Sequence, residues 1–198
     1  MSERVRAFVA IKVNAELAAA LLDLQARLRR RLPPTAVRWS SREQLHLTLQ
    51  FLGDVASDRV PDLISAVRGA CQDTPVLRLI PGDLGAFPGL PRPRVIWVGV
   101  GGDLELLQEL QRRVAAATAA FGDHTEEREF HPHLTLGRVS GRGEADARPV
   151  GQALSGVSLG WRGAWLGTAV HLIRSQLNPA GAVYTDLAEF PLNPRAGL

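Results

Sequence analysis

The tetrapeptide His-Leu-Thr-Leu occurs twice in this chain, at 46–49 and again at 133–136. In an extended strand, side chains alternate between faces. Each copy therefore puts His and Thr on one face and two leucines on the other. His46 and Thr48 share a face, as do His133 and Thr135. The leucines supply an apolar back that anchors the strand. A duplicated core strand would need only its leucines, which leaves the matched His and Thr unexplained by packing. The copies lie close to half the chain length apart, so two short lobes built on related strands fit the spacing.

The surrounding pattern supports a mixed fold. Arg6 to Val13 is apolar and β-prone and reads as a buried strand. Asn14 caps a helix over Ala15 to Arg31, which Pro33-Pro34 ends. Val37 to Trp39 and Leu45 to Leu52 read as strands, and Ser57 or Asp58 caps a helix to about Ala70. Val76 to Ile80 is a strand, Gly82 to Arg94 an ordered Gly/Pro loop, and Val95 to Val100 a central strand. Asp103 caps a helix over Leu104 to Phe121, a polar loop follows to Phe130, and Leu134 to Val139 is a strand. Ser140 to Pro149 reads as a Gly/Arg-rich surface loop. Strand-like runs at Gly156 to Trp161, Trp165 to Ser175 and Val183 to Phe190 close the chain, with the last hairpin turn at Pro179-Ala180-Gly181.

Composition narrows the class. A chain of 198 residues, 45% hydrophobic and 22% charged, suits one compact domain over 1–198, or two small lobes sharing a core. No apolar run approaches the roughly 20 residues of a membrane span. The N-terminus carries no secretory signal pattern, so a cytoplasmic protein is expected. The lone cysteine, Cys71, excludes an internal disulfide and a Cys-rich metal site. Of 23 basic residues only Lys12 is lysine. Arginine's planar fork suits phosphate, although a GC-rich genome gives the same bias. The net charge of +3 permits nucleic-acid contact without requiring it.

Two imidazoles on rigid strands suit phosphodiester chemistry. In-line displacement at phosphorus needs a base on the attacking side and an acid on the leaving side, and an unperturbed histidine pKa of about 6.5 serves both. Hydroxyl and guanidinium donors stabilise the charge that develops on the non-bridging oxygens.

The chain resembles the two-histidine phosphoesterases, and within them the RNA 2′,3′-cyclic phosphodiesterase or 2′-5′ RNA ligase (LigT-type) family. The resemblance is carried by Arg6-Ala7-Phe8-Val9-Ala10-Ile11, by Leu45-His46-Leu47-Thr48-Leu49-Gln50-Phe51-Leu52-Gly53, and by Gly85-Ala86-Phe87-Pro88 with Pro93-Arg94-Val95-Ile96-Trp97. It extends through Phe130-His131-Pro132-His133-Leu134-Thr135-Leu136-Gly137-Arg138 and Tyr184-Thr185-Asp186-Leu187. It implies an α+β fold of two pseudo-symmetric lobes, each a mainly antiparallel sheet with helices outside, and a catalytic cleft between them. It also implies hydrolysis of RNA 2′,3′-cyclic phosphate ends to 2′-phosphomonoesters, and ATP-independent 2′-5′ ligation as the reverse. His46 and His133 become the catalytic pair, with Thr48 and Thr135 on the phosphate. Family analogy makes His46 the acid at the 3′ oxygen and His133 the base. No metal or cofactor is implied. Partners would be RNA with a cyclic end, such as transfer-RNA halves, or small cyclic nucleotides, acting on a monomer.

Further candidates surround the motifs. Arg138 follows Gly137, whose freedom can turn the guanidinium to the phosphate; His131 shares face parity with His133. Phe8 and Tyr184 are candidates for base or rim contacts, while Trp39, Trp97, Trp161 and Trp165 read as packing. His171 reads as structural and His124 as a loop residue. Arg92, Arg94, Arg142 and Arg148 sit in loops that would guide an RNA backbone or simply be solvated. Two rivals stand beside the phosphodiesterase. One is a zinc hydrolase using His46, His131 and His133. The other is a non-catalytic RNA-end binding module.

Overall fold

A computed structural model of the protein describes residues 3–123, 129–141, 143–161, 163–178 and 181–195. In chain order the elements are β1 (Arg4–Lys12), α1 (Ala15–Arg29), β2 (Val37–Trp39), β3 (His46–Ala56), α2 (Val60–Cys71), β4 (Leu77–Phe87) and β5 (Val95–Gly102). They continue as α3 (Leu104–Thr118), β6 (His133–Val139), α4 (Glu144–Leu154), β7 (Trp165–Gly167), β8 (Ala169–Asn178) and β9 (Gly181–Pro191).

The strands form one sheet in the order β7-β4-β5-β6-β3-β1-β8-β9, with β2 paired to β6. Every pairing between these strands is antiparallel. The order is palindromic in kind. The motif strands β6 and β3 meet at the centre, each flanked by a long apolar strand, β5 or β1, and then by β4 or β8. This is the expected α+β architecture of two related lobes, fused here through a shared seam. Along that seam β3 and β6 pair through Leu47↔Leu134.

The lobes exchange elements. β4 follows β3 in sequence yet pairs with β5, and β8 comes late in the chain yet pairs with β1. Helices α2 and α3 contact each other, and α3 lies on β3. On the other lobe, α1 is tied to the β6 region by the buried Gln25, whose amide donates to the carbonyls of Ser40 and Leu136. The main core lies between sheet and helices. Ala7, Val9 and Ile11 of β1, Leu47, Leu134 and Leu136 of the motifs, and Leu17, Leu21, Leu24 and Leu28 of α1 are all buried in it. A second cluster of Phe8, Ala10 and Ile173, with Phe51 and Tyr184 against it, covers the opposite face of β1. A strand apolar on both faces is thus explained: one face meets helices and the other lines a cleft.

Several boundaries differ from the sequence expectation. The segment Gly82 to Arg94 is not all loop, because β4 runs to Phe87 and pairs with β5 through Leu84↔Val98 to Phe87↔Val95. Ladder hydrogen bonds there outweigh the turn preference of glycine. The expected Ser140 to Pro149 loop contains the start of α4, which holds Pro149 in its interior. Ala147, Val150 and Leu154 are buried from that helix at helical spacing, and their burial outweighs the cost of the proline. Gly156 to Trp161 forms no strand; Leu159 and Trp161 pack on the core as irregular chain. α1 and α3 stop at Arg29 and Thr118, short of their expected ends, and a 3₁₀ turn at Ser57–Arg59 precedes α2. Pro179 and Ala180 of the expected turn lie outside the described residues, as do His124 and Arg142; Arg148 is exposed on α4. Among the described residues no helix is long and apolar enough to cross a membrane.

Candidate active site

Pairing Leu47 with Leu134 in antiparallel register sets the geometry of the two motifs. The leucines point into the core, so the residues on either side point to the opposite face. That register lays His46 alongside Thr135 and Thr48 alongside His133. A pseudo-two-fold axis through the leucine pair thus relates two imidazole–hydroxyl rows on one concave surface.

Both motifs end in the same irregularity. Against β1, Val9 pairs with Gln50 and Ala10 with Thr48, so Leu49 is an extra residue. Against β5, Ile96 pairs with Gly137 and Trp97 with Thr135, so Leu136 is an extra residue. Such bulges re-phase the strand beyond them. The residue five places after each histidine therefore swings back to the histidine's face. On one side it is Phe51, paired with Phe8; on the other it is Arg138, paired with Val95. Sequence parity alone would have sent Arg138 to the core, and the bulge, not glycine freedom as such, brings it to the cleft. Gly137 itself is needed for close packing: a Cβ there would lie 2.8 Å from Val37 and 2.9 Å from the Arg38 carbonyl oxygen.

The two imidazoles are held alike. His133 Nδ1 lies 2.6 Å from the carbonyl oxygen of His131, two residues back. His46 Nδ1 faces the Gln44 carbonyl, again two residues back, though outside hydrogen-bonding geometry. In each case a backbone carbonyl favours the proton on Nδ1, leaving Nε2 toward the cleft. His46 Nε2 lies 3.1 Å from Thr48 Oγ1. Burial pulls the His46 pKa down to about 4; the Gln44 carbonyl opposes this, and the charges of His133 and Lys12 lower it further. The electrostatic influence of His133 on His46 reflects their shared cleft. Burial also lowers the His133 pKa, helped by the charges of His131 and Arg138 and opposed by the His131 carbonyl. Both imidazoles are therefore neutral at pH 7 without an anion between them.

Aromatic rings back each histidine. Phe8 stacks on His46 with centroids 4.8 Å apart, and Tyr184 meets it edge-on at 5.6 Å. Phe51 completes this patch with the Arg6 guanidinium 4.7 Å above its ring. In the other lobe Phe87 meets His133 edge-on at 5.1 Å, and Trp97 lies 6.2 Å away. The His131 ring packs on Trp97 at 5.0 Å and on Phe87 at 5.4 Å. A Cβ on Gly85 would come within 2.3 Å of the Trp97 ring, so the indole lies flat on the sheet only because position 85 is glycine.

The structure thus brings His46, Thr48, His133, Thr135, Arg138, Phe8 and Tyr184 to one cleft. His131 joins them through its ring contacts and its carbonyl. Sequence reading missed Phe51, Phe87 and Trp97 here. Phe87 falls in a segment whose Gly/Pro content signals a loop, and Trp97 in a run that reads as packing. Trp39, Trp161 and Trp165 do pack on or in the core. Arg94 is spent on the Gly141 carbonyl. His171, buried, lies 3.6 Å from Asp186, which also holds Lys12 at 2.5 Å. Strand alternation offered a signal for Lys12 and Arg6, which share face parity with Phe8 on β1. A cavity of about 420 Å³ beside His46 is lined by Lys12, Arg42, Tyr184 and Asp186 among others. Among the described residues no three His, Cys, Asp or Glu side chains converge to hold a metal ion.

The sequence model of the LigT like Phosphoesterase family matches residues 11–97 and 101–184. The RNA 2′,3′-cyclic phosphodiesterase of Methanothermobacter thermautotrophicus is 32% identical over 191 residues, spanning 96% of this chain and 100% of its own. The protein of the same name from Thermus thermophilus is 31% identical over 207 residues, spanning 98% and 93%. A crystal structure of E. coli LigT complexed with 3′-AMP superposes with a TM-score of 0.76 at 26% identity, covering 96% of this chain and 99% of that one.

Proposed function

Because the chain belongs to the LigT-like phosphoesterases, we propose that it opens 2′,3′-cyclic phosphates at RNA ends, with His46 and His133 as the paired acid and base. The Leu47↔Leu134 pairing carries this reading. It sets two imidazoles and two hydroxyls around one point, as opposed attack and departure at phosphorus require.

The cyclic phosphate lies between the rows. Thr48, Thr135 and Arg138 donate hydrogen bonds to its non-bridging oxygens, and His131 borders them. Phe8 and Tyr184, with Phe51, take the nucleoside on the His46 side. The ribose oxygens then face His46, and water approaches from the His133 side. His133 accepts a proton as the water oxygen bonds to phosphorus. The bond from phosphorus to the 3′ oxygen breaks, and His46 delivers its proton to that oxygen. A 2′-phosphomonoester remains. The anion itself supplies the field that lets His46, neutral in the free protein, hold that proton. A 5′-hydroxyl in place of water gives the 2′-5′ linkage by the same transfers, without ATP.

Transfer-RNA halves and small cyclic nucleotides both satisfy this chemistry. The reading takes the protein as a single 1–198 domain acting as a cytoplasmic monomer. Product analysis on a short RNA with a 2′,3′-cyclic end tests it. A 2′-phosphomonoester is expected; RNA bound but left intact would make the protein a binding module instead.

A further inference from the structure

Arg138 has an unusual neighbour. In the β2–β6 pairing Arg38 stands directly opposite it. Directly opposed residues of an antiparallel pair point to the same face, with Cβ atoms roughly 5 Å apart. Val37 is buried and Trp39 packs against the core, so Arg38 between them faces away from the core, on the cleft side with Arg138. Both arginines are exposed. Among the described residues neither has a carboxylate partner or a side-chain hydrogen bond.

Like charges placed directly opposite each other destabilise a sheet. Some cations of this chain are ion-paired, Lys12 on Asp186, Arg195 on Asp103 and Arg112 on Glu109 among them. At the Arg38–Arg138 position it leaves two guanidinium groups unpaired, beside the row holding His133 and Thr135. Arg138 lies close enough to act electrostatically on both His133 and Tyr184, which places it on the inner side toward the reacting phosphate. Arg38 lies one strand away, on the edge of β6 that β3 also uses.

Resting on the function proposed above, we infer that Arg38 is a second phosphate-binding residue, one that takes the phosphate on the 5′ oxygen of the nucleoside carrying the cyclic end. Arg138 holds the reacting phosphate and Arg38 holds its neighbour. The guanidinium fork suits a phosphate of either source, the next phosphodiester of an RNA strand or a terminal 5′-phosphate. The anion also resolves the repulsion between the two arginines.

The test compares three compounds: cytidine 2′,3′-cyclic phosphate, the same compound bearing a 5′-phosphate, and a cytidine dinucleotide ending in a 2′,3′-cyclic phosphate. Wild-type protein should prefer the second and third. Arg38→Ala should reduce that preference roughly tenfold, and Arg38→Lys should restore part of it. The salt dependence of log KM for the dinucleotide should flatten by about 0.7, the share of one released phosphate contact on a single strand. An effect on both phosphorylated compounds identifies an RNA strand as occupant, and an effect on the 5′-phosphate compound alone a terminal phosphate. The inference fails if Arg38→Ala lowers all three by one common factor, or alters none. Equilibrium binding of the same compounds reads the same preference even if the wild type turns none over, which separates this failure from failure of the proposed reaction. Melting of Arg38→Ala should be no lower than wild type, which shows that the variant folds.

Discussion

The side-chain amide of Gln25, on α1, donates to the carbonyl of Leu136 at 3.0 Å. Leu136 is the extra residue of the bulge in β6, and Ser40 N–H also donates to that carbonyl at 2.8 Å. A buried helix residue thus supports the irregularity that turns Arg138 into the cleft. Gln25→Leu should cost about 1–2 kcal/mol, because Ser40 N–H still serves the Leu136 carbonyl while the Ser40 carbonyl loses its donor. The loss in kcat/KM should exceed what that small destabilisation explains. Denaturant melts alongside kinetics on a cyclic phosphate check this; unchanged kcat/KM would detach Gln25 from the site.

Removing either imidazole should be severe. His46→Ala and His133→Ala should each lower turnover by roughly 10² or more while RNA binding is largely kept. Thr48→Ala and Thr135→Ala should be milder. The pH profile of the wild type should be bell-shaped, with limbs that belong to the coupled pair. Wild-type turnover in either histidine variant would end the acid–base assignment.

Stability should fall in mild acid, and His46 should be a main cause. Its pKa is about 4 in the folded protein against an ordinary 6.5. The unfolded chain therefore binds that proton more readily. The associated stability is complete above pH 6.5 and is lost as pH falls toward 4, up to about 3 kcal/mol. His133 and His171 shift in the same direction. His46→Gln should thus show a shallower decline over this window without abolishing it. Urea denaturation at a series of pH values gives both slopes, and equal slopes would contradict the burial of His46.

Gly85→Ala should displace the Trp97 ring, since the new methyl would lie within 2.3 Å of it. The expected cost is roughly 1–3 kcal/mol, with a fall in turnover through Phe87 and His133, whose rings contact the indole. Tryptophan fluorescence reports the displacement directly. The double variant Gly85→Ala with Trp97→Leu should recover stability relative to Gly85→Ala alone.

Excess EDTA should leave activity intact, because the proposed proton transfers use imidazoles. Loss of activity in EDTA with recovery on adding zinc would favour the rival three-histidine hydrolase.

The motif strands, their facing and the pairing of His with Thr were legible because alternation on a strand is strict and local. Arg138 and Phe51 were not legible by parity, since a bulge is set by cross-strand pairing that no single segment encodes. Trp97 looked like packing for a related reason. Whether an indole on a strand meets core or cleft depends on what lies across the sheet, here the bare surface of Gly85. The α4 segment was misread because its Gly, Arg and Pro content signals a loop, while its three buried apolar residues gain their meaning only from a partner surface. Phe8 was separable from the core only once the second apolar cluster appeared on the far face of β1.

The exchange of β4 and β8 between lobes has a further consequence for how the cleft is made. A cut in the segment between β4 and β5 would leave two fragments with one motif histidine each. Neither fragment would contain a complete lobe, because the first carries β2 and β4, which belong beside β6 and β5, and the second carries β8 and β9, which belong beside β1. The halves are mutual templates, so co-expressed fragments should regain activity only as a pair. In the intact chain the same interlock ties the spacing of the two imidazoles to the integrity of the whole sheet.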